Sequence, residues 1–338
     1  MNRLFCFVLL SLFLAICHPA TAQLGKPLYT ITVTRGGVPL GSITLEMFPD
    51  IAPKHVANFD SLVGIAFFDG TAFHRVVPGF VIQGGDPNTR NGDESTWGEG
   101  DPSQQTVPAE FSKLLHQRGI ISAARTDDPN SATSQFFICV AAAPWLDGRY
   151  SIYGQVLTGM DVVDTIVKSP VKSGTEIPQQ KIVMTIARTG TDTTTPNAPQ
   201  LLTPADDTTN VKASQQVRWS NIEGAILYEI QLSNDPDFGT LIFKDSVVST
   251  LAIFRNLERG SKEYFWRVRA MNGGKRGPFS AARSFTTMPL ATSVQETPQN
   301  QESIETMDLS NRITLPEDRQ ASISRHHTPP AATPITRD

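Results

Sequence analysis

The chain has 338 residues, a formal net charge of −4 at pH 7 and only three cysteines. This length accommodates two domains that each bury a hydrophobic core. Without excess positive charge the chain lacks the basic surface of a general nucleic-acid binder, so we expect no nucleic-acid partner.

Residues 1–22 predict a secretory signal peptide. Arg3 precedes an apolar run from Leu4 to Cys17, and Ala20-Thr21-Ala22 provides a small-x-small cleavage site. A membrane anchor is the alternative, but about 14 apolar residues are too few to cross about 30 Å of hydrocarbon. We therefore expect an exported protein with no membrane span after cleavage.

Residues 26–189 form the first predicted domain. Apolar and polar residues alternate in Tyr29–Val33 and Ser42–Met47 on either side of Gly36-Gly37, which predicts a hairpin. Further short strands are predicted at residues 71–73, 80–83, 119–122, 135–140, 151–156 and 182–187. In the 135–140 run, Cys139 is expected to be a buried core thiol, and it would be the one cysteine of the mature chain.

Two helices interrupt these strands. Pro53 suits the first helical position, and Val56 and Phe59 follow it at helical spacing, which places His55 on the solvent face. A second helix is predicted over residues 160–168. Many short strands with two helices favour a closed β-barrel with helical caps.

Residues 190–198 predict a linker, because the stretch from Gly190 to Pro199 is rich in Thr and Pro and has nothing to bury. The next domain, 199–288, predicts a small antiparallel β-sandwich with strands at residues 217–219, 228–232, 241–243 and 264–270. Residues 289–338 contain no aromatic residue and no glycine, so we expect a disordered tail. Its His326-His327 pair is interpreted as solvated, with weak metal binding as the alternative.

Three separate motifs in the first domain carry a family resemblance. They are residues 73–86 (FHRVVPGFVIQGGD), 130–138 (NSATSQFFI) and 145–150 (WLDGRY), accompanied by 122–125 (SAAR). The set closely resembles the motifs of cyclophilins, the peptidyl-prolyl cis-trans isomerases. The resemblance implies a mainly β fold, a closed eight-stranded antiparallel barrel capped by two helices.

The chemistry of such an enzyme needs no nucleophile, metal or cofactor. The barrier to rotation about a peptide bond is about 18–20 kcal/mol because resonance gives the C–N bond double-bond character. A guanidinium that donates to the prolyl nitrogen acts only after resonance is broken, so it stabilises the twisted state selectively. Arg75 is predicted to have this catalytic role, with a purely structural salt bridge as the alternative.

The resemblance implies the other site residues. Gln83 is predicted to be catalytic as the group that orients the arginine or holds the substrate backbone, with an ordinary turn residue as the alternative. The predicted substrate-binding residues are Phe80, Val81, Ala124, Arg125, Phe137, Trp145, Leu146 and Tyr150. Phe137 and Leu146 have an ordinary core role as the alternative. Trp145 implies cyclosporin binding.

Val81 and Tyr150 stand where many relatives have methionine and histidine, which leaves the residue preferred before proline open.

The second domain resembles a fibronectin type III domain. Trp219 matches its early core tryptophan, and Leu257, Gly260 and Tyr264 resemble its tyrosine-corner region.

We expect a peptidyl-prolyl isomerase that assists the folding of exported proteins and acts, as a monomer, on proline-containing unfolded or extracellular polypeptides. Motif style and the lack of a disulfide framework favour a bacterial protein, periplasmic or secreted. The alternative is a non-catalytic module that binds proline segments in its groove or adheres through its sandwich. An intact Arg75 favours the enzyme.

Overall fold

The structure, a computed structural model, describes residues 25–290. The predicted signal peptide and most of the predicted tail lie outside these residues. Eight strands and two α-helices make up the first domain: β1 Lys26–Arg35, β2 Val38–Met47, α1 Pro53–Gly64, β3 Ala72–Val77, β4 Val81–Asp86, β5 Ile120–Ala123, β6 Phe136–Cys139, β7 Ile152–Thr158, α2 Met160–Val167 and β8 Ile182–Asp192.

The eight strands close into a barrel in the order β1-β2-β7-β5-β6-β4-β3-β8. Every neighbouring pair is antiparallel. Ile31 and Val33 of β1 and Ile43 and Leu45 of β2 are fully buried in the interior, because alternate side chains of a strand point to one face. The mainly β fold and the closed antiparallel barrel with two helices are confirmed.

Helix α1 begins at Pro53 as predicted, and Val56 and Phe59 are buried against the barrel. The prediction that His55 faces solvent is wrong. His55 is 5% exposed, its Nδ1 lies 2.8 Å from an Oε2 of Glu110, and its ring stacks on Tyr153 at 5.9 Å. The loop that carries Glu110 covers this face of the helix.

The second domain contains β9 Leu201–Thr203, β10 Thr208–Val211, β11 Gln215–Trp219, β12 Leu227–Ser233, β13 Phe243–Val247, β14 Leu251–Phe254, β15 Glu263–Met271 and β16 Arg283–Thr287. One sheet has the order β10-β16-β15-β12-β13, and the other has the order β14-β11-β9. The prediction for 241–243 is wrong at Leu241 and Ile242, since the strand begins at Phe243.

Large aromatic side chains fill the core of the second domain. Trp219 and Trp266 are almost completely buried and share one cluster with Phe254 and Phe285. Tyr264 is buried in the same cluster, and its hydroxyl oxygen accepts a hydrogen bond of 3.0 Å from the backbone N–H of Glu258.

The two domains pack directly against each other. Phe48 of the barrel belongs to a buried cluster with Leu227 and Met271 of the second domain. Arg276 donates through Nε to both carboxylate oxygens of Asp50, each at 2.9 Å. The backbone adds a hydrogen bond of 2.7 Å from Asp50 N–H to the carbonyl of Gly273.

Strand β8 extends into the stretch predicted as a linker. Gly190 pairs with Leu28, and β8 ends only at Asp192. Lys26 forms ion pairs with Glu46 at 2.5 Å and with Asp192 at 3.1 Å, which secures this end of the barrel. Gly190 to Asp192 therefore pair within the barrel sheet.

Candidate active site

A cavity of about 290 Å³ opens on the outer wall of the barrel. Its lining consists of nine residues, all of them predicted from the sequence as site residues: Arg75, Phe80, Val81, Gln83, Ala124, Arg125, Phe137, Leu146 and Tyr150. The tenth, Trp145, does not line the cavity. It is 56% exposed, and its ring packs on the ring of Phe80 with centroids 5.5 Å apart.

Strand register brings the central residues together. Arg75 on β3 pairs with Gln83 on β4, and Gln83 pairs with Phe137 on β6. Directly opposed residues of antiparallel strands share one face of the sheet. Their chain neighbours Ile82 and Ile138 lie in the barrel core, so Arg75, Gln83 and Phe137 form a row on the outer face.

A separate apolar cluster forms the cavity wall. Val81, Phe137 and Leu146 are buried in it, with Cys139 and Ala143 behind them. A 3₁₀ turn over Pro144–Leu146 carries Leu146 to the cavity. Cys139 is fully buried, as predicted, and burial raises the pKa of its thiol to about 12.

His116 supports this wall from behind, a role that sequence reasoning missed. Its ring stacks on Phe137 at 6.1 Å, and its Nδ1 and backbone N lie 2.9 and 2.7 Å from Oδ1 of Asp147. Its Nε2 lies 3.2 Å from the Ser122 hydroxyl. Burial lowers the pKa of His116 despite the opposing effect of Asp147. Asp147 lies 31 residues further along the chain, and no short motif signals such a pair.

A chain of amide groups orients Gln83. Gln135 donates through Nε2 to the carbonyl of Gly98 at 3.0 Å, so its Oε1 is free to accept from Nε2 of Gln83, also at 3.0 Å. This turns Oε1 of Gln83 toward Arg75, whose Nη1 donates to it at 3.4 Å. Gln135 lies in a predicted motif, but sequence reasoning gave it no role.

Arg75 also binds a carboxylate that the sequence did not indicate. Its Nε donates to Oε2 of Glu176, and the two side chains are 36% and 48% exposed. The salt bridge that was the alternative for Arg75 is therefore present. It does not remove the guanidinium from the site, because Arg75 still lines the cavity and its Cζ lies 6.0 Å from the centroid of the Phe80 ring.

Arg125 lies at the junction with a second cavity. Its guanidinium stacks on the Tyr150 ring at 4.2 Å and donates to the backbone carbonyls of Thr126, Asp127 and Arg149. The second cavity has a volume of about 250 Å³ and shares Gln83, Ala124 and Arg125 with the first. Gln135, which orients Gln83, also lines it, and residues between 98 and 106 form its far wall.

Within residues 25–290 no three His, Cys, Asp or Glu side chains converge in a way that could hold a metal ion. In the same range no helix has the length and apolar character needed to cross a membrane.

Comparison with known proteins identifies the class to which this barrel and cavity belong. The family model for cyclophilin type peptidyl-prolyl cis-trans isomerases matches residues 30–190. A probable peptidyl-prolyl cis-trans isomerase of Brucella suis biovar 1 (strain 1330) is 46% identical over 132 residues, which are 38% of this chain and 67% of that protein. The chain belongs to the cyclophilin family, and it is a peptidyl-prolyl cis-trans isomerase whose cyclophilin domain binds proline-containing peptides.

Two further matches come from eukaryotes. Peptidyl-prolyl cis-trans isomerase ppi1 of Schizosaccharomyces pombe is 43% identical over 126 residues, 36% of this chain and 77% of that protein. A crystal structure of a Cryptosporidium parvum cyclophilin type isomerase aligns with a TM-score of 0.43 and 28% identity, covering 49% of this chain and 98% of that one.

Proposed function

We propose that this isomerase acts on exported proteins and assists their folding, with Arg75 as the catalytic cation and the 290 Å³ cavity as the proline pocket. One observation supports this most directly. Two guanidiniums line the cavity that is walled by Phe80, Phe137 and Leu146. That of Arg125 donates to three backbone carbonyls, whereas that of Arg75 is bound only to the side chains of Glu176 and Gln83 among the described residues.

The proline ring enters the apolar cavity, where burial of its carbons provides binding energy. Its nitrogen then faces the guanidinium. In the planar amide the nitrogen lone pair is delocalised and is a poor acceptor, whereas in the twisted amide it is localised and accepts a hydrogen bond. Arg75 therefore binds the transition state more strongly than either planar isomer, which is the condition for catalysis.

Gln83 orients this cation in our proposal. Its Oε1 accepts from Nη1 of Arg75, and its Nε2 is already used by Gln135. Preorganised donors are worth the most when they need no rearrangement during the reaction. The residues that precede proline in the substrate would lie along Ala124 and Arg125, toward the second cavity.

We propose a first domain over residues 26–192, because β8 of the barrel runs to Asp192, and a second domain over residues 199–288 with a fibronectin type III-like fold. Two sheets, in which β10 and β16 pair in parallel and the other neighbours are antiparallel, support this fold together with the buried Trp219. The hydrogen bond from Glu258 N–H to the Tyr264 hydroxyl is the contact of a tyrosine corner. The packing of the second domain against the barrel favours a docked supporting module over an adhesion domain.

A coupled isomerisation assay on a proline-containing peptide tests the catalytic proposal. We expect activity in the wild type, inhibition by cyclosporin, and a kcat/KM that is about 100- to 1,000-fold lower in Arg75→Ala. Titration of the same peptide measures binding separately. Equal rates above background for the wild type and Arg75→Ala would exclude Arg75 as the catalytic group. Peptide binding without a rate above background in the wild type would leave the groove as a binder.

Export is tested independently of catalysis. Expression of the full chain with its first 22 residues should place the protein outside the cytoplasm, in the periplasm or the medium, with a mature N-terminus at Gln23. A protein that keeps Met1 and stays in the cytoplasm would contradict the proposal. Sedimentation of the purified protein checks the proposed monomer.

A further inference from the structure

We propose that Glu176 is a positioning residue for catalysis, which holds the guanidinium of Arg75 so that its remaining N–H groups face the proline pocket. This inference rests on the proposed role of Arg75. Nothing in the sequence marks Glu176, because it lies 101 residues from Arg75 in an irregular loop between α2 and β8.

Glu176 is attached to the strand that carries Arg75. The carbonyl of Glu176 accepts a hydrogen bond of 2.9 Å from the backbone N–H of Val76, the residue after Arg75 on β3. The carboxylate of Glu176 accepts from Nε of Arg75 itself. Backbone and side chain of one residue therefore fix both the strand and its catalytic side chain.

The loop that presents Glu176 is closed by its own hydrogen bonds. The N–H of Lys172 donates to the carbonyl of Ile177 at 2.9 Å, and the N–H of Thr175 donates to the carbonyl of Lys172 at 3.0 Å. Val171 and Pro178 form a bridge at the base of this turn. The position of the carboxylate is thus set by a tight turn, although the side chain is about half exposed.

The two partners of Arg75 bind different edges of the guanidinium. Glu176 accepts from Nε, and Gln83 accepts from Nη1. A guanidinium is planar and carries five N–H groups, so these two bonds fix the plane and leave Nη2 and one N–H of Nη1 without a partner among the described residues. Those groups are available for the prolyl nitrogen.

A stabilising surface ion pair is the competing explanation for Glu176. Half-exposed pairs contribute little to stability because water screens them and both side chains lose freedom. Placement of a catalytic group is far more sensitive, since a misplacement of about 1 Å can cost about 100-fold in rate. The proposal therefore predicts a large effect on turnover with a small effect on folding.

The chain offers a matched control on the same loop. Lys172 binds the carboxylate of Glu94 in an ion pair with side chains 40% and 46% exposed, which resembles the Arg75–Glu176 pair in exposure. Glu94 does not contact Arg75. Glu94→Ala thus removes a comparable surface pair from this loop and leaves the guanidinium alone.

The experiment measures kcat and KM for the full chain and for Glu176→Ala, Glu176→Gln and Glu94→Ala, with thermal midpoints alongside. We expect Glu176→Ala to lower kcat by about 10-fold or more with KM nearly unchanged, because a held guanidinium is one of the conditions for a placed donor. Glu176→Gln keeps an acceptor for Nε and should keep at least half of the activity. Glu94→Ala should match the wild type.

A double-mutant comparison separates this inference from the proposed function. In an Arg75→Ala background, Glu176→Ala should cause no further loss, because nothing remains to be positioned. If Arg75→Ala is inactive but Glu176→Ala equals Glu94→Ala, the positioning role is wrong and the catalytic role of Arg75 stands. If Glu176→Gln loses as much as Glu176→Ala, the hydrogen bond is not what matters and the inference is overturned. If Arg75→Ala is fully active, the proposed function itself fails.

Discussion

The two domains place the same combination of groups, an arginine with an aromatic ring and a carboxylate, in opposite settings. In the barrel, Arg75 meets Phe80 and the half-exposed Glu176 at the rim of an open cavity. In the second domain, Arg269 lies 4.5 Å above the Phe279 ring and binds Glu229, whose side chain is only 2% exposed.

The two arginines differ in whether their carboxylate partner is buried. Glu229 is buried, so its charge must be compensated inside the protein, and Arg269, Lys244 and Arg276 all approach it within 3.6 Å. Burial alone would raise the pKa of Glu229, but the hydrogen bonds and charges of Arg269, Gln231 and Lys244 together outweigh burial, so the pKa is lowered. Arg269 therefore serves the fold, whereas Arg75 has an exposed partner and a cavity in front of it.

Exchange of the two arginines for alanine gives the largest expected contrast. Arg75→Ala should lower kcat/KM by about 100- to 1,000-fold, which is the usual cost of removing one preorganised donor. Its thermal midpoint should change little because the guanidinium is partly exposed. Isomerisation kinetics and thermal unfolding of the same samples measure both effects, and a large loss of stability with normal kcat/KM would reverse the assignment.

Arg269→Ala should show the opposite behaviour. It leaves Glu229 buried with weaker partners, and an undercompensated buried charge costs about 2–3 kcal/mol in the free energy of unfolding. Chemical denaturation measures this loss. Activity at a temperature below the transition should equal that of the wild type, since the cavity is untouched. Arg269→Lys, which keeps the charge, is the control and should recover part of the stability.

Features that lie in a periodic pattern or a short motif could be predicted from the sequence, whereas contacts between distant parts of the chain could not. Strand periodicity and the position of Pro53 gave the barrel elements, and family motifs gave all nine residues that line the cavity. Glu176 and His116 were missed because each acts across long chain separations from a loop without periodicity. His55 was misplaced because a helical wheel describes one helix alone, and the loop with Glu110 that covers it lies 55 residues further on.

The stabilities of the two domains should depend differently on mildly acidic pH, because all the histidines of the described residues lie in the barrel. His55, His74 and His116 of the barrel are buried, and burial lowers the pKa of each, while residues 199–290 contain no histidine. Because the unfolded chain then binds more protons than the native barrel, stability is full above the unfolded value near 6.5 and falls as pH drops below it.

Thermal unfolding at pH 7.5 and 5.5 tests this dependence. The midpoint should be lower at pH 5.5, and the decrease should be smaller in His55→Gln, whose amide can still donate to Glu110 but does not titrate. Glu229 of the second domain should not contribute to this decrease. Its pKa is lowered, so the stability that depends on its charge is lost only at more acidic pH. An equal decrease in the wild type and in His55→Gln would show that His55 does not contribute.

The smallest effect is expected where the domains meet. Arg276→Ala removes the bonds to Asp50 and the longer contact with Glu229 at 3.6 Å, while Arg269 stays bound to Glu229 at 2.7 Å. A partly exposed pair such as Arg276–Asp50 contributes about 0–1 kcal/mol. Burial raises the pKa of Asp50 while Arg276 opposes that rise, so the variant also leaves a carboxylate that is harder to ionise at the interface. Calorimetry should therefore show little change in total stability but a broader transition, because barrel and second domain unfold less cooperatively. A single transition as sharp as that of the wild type would show that the apolar cluster of Phe48, Leu227 and Met271 is sufficient to couple the two domains.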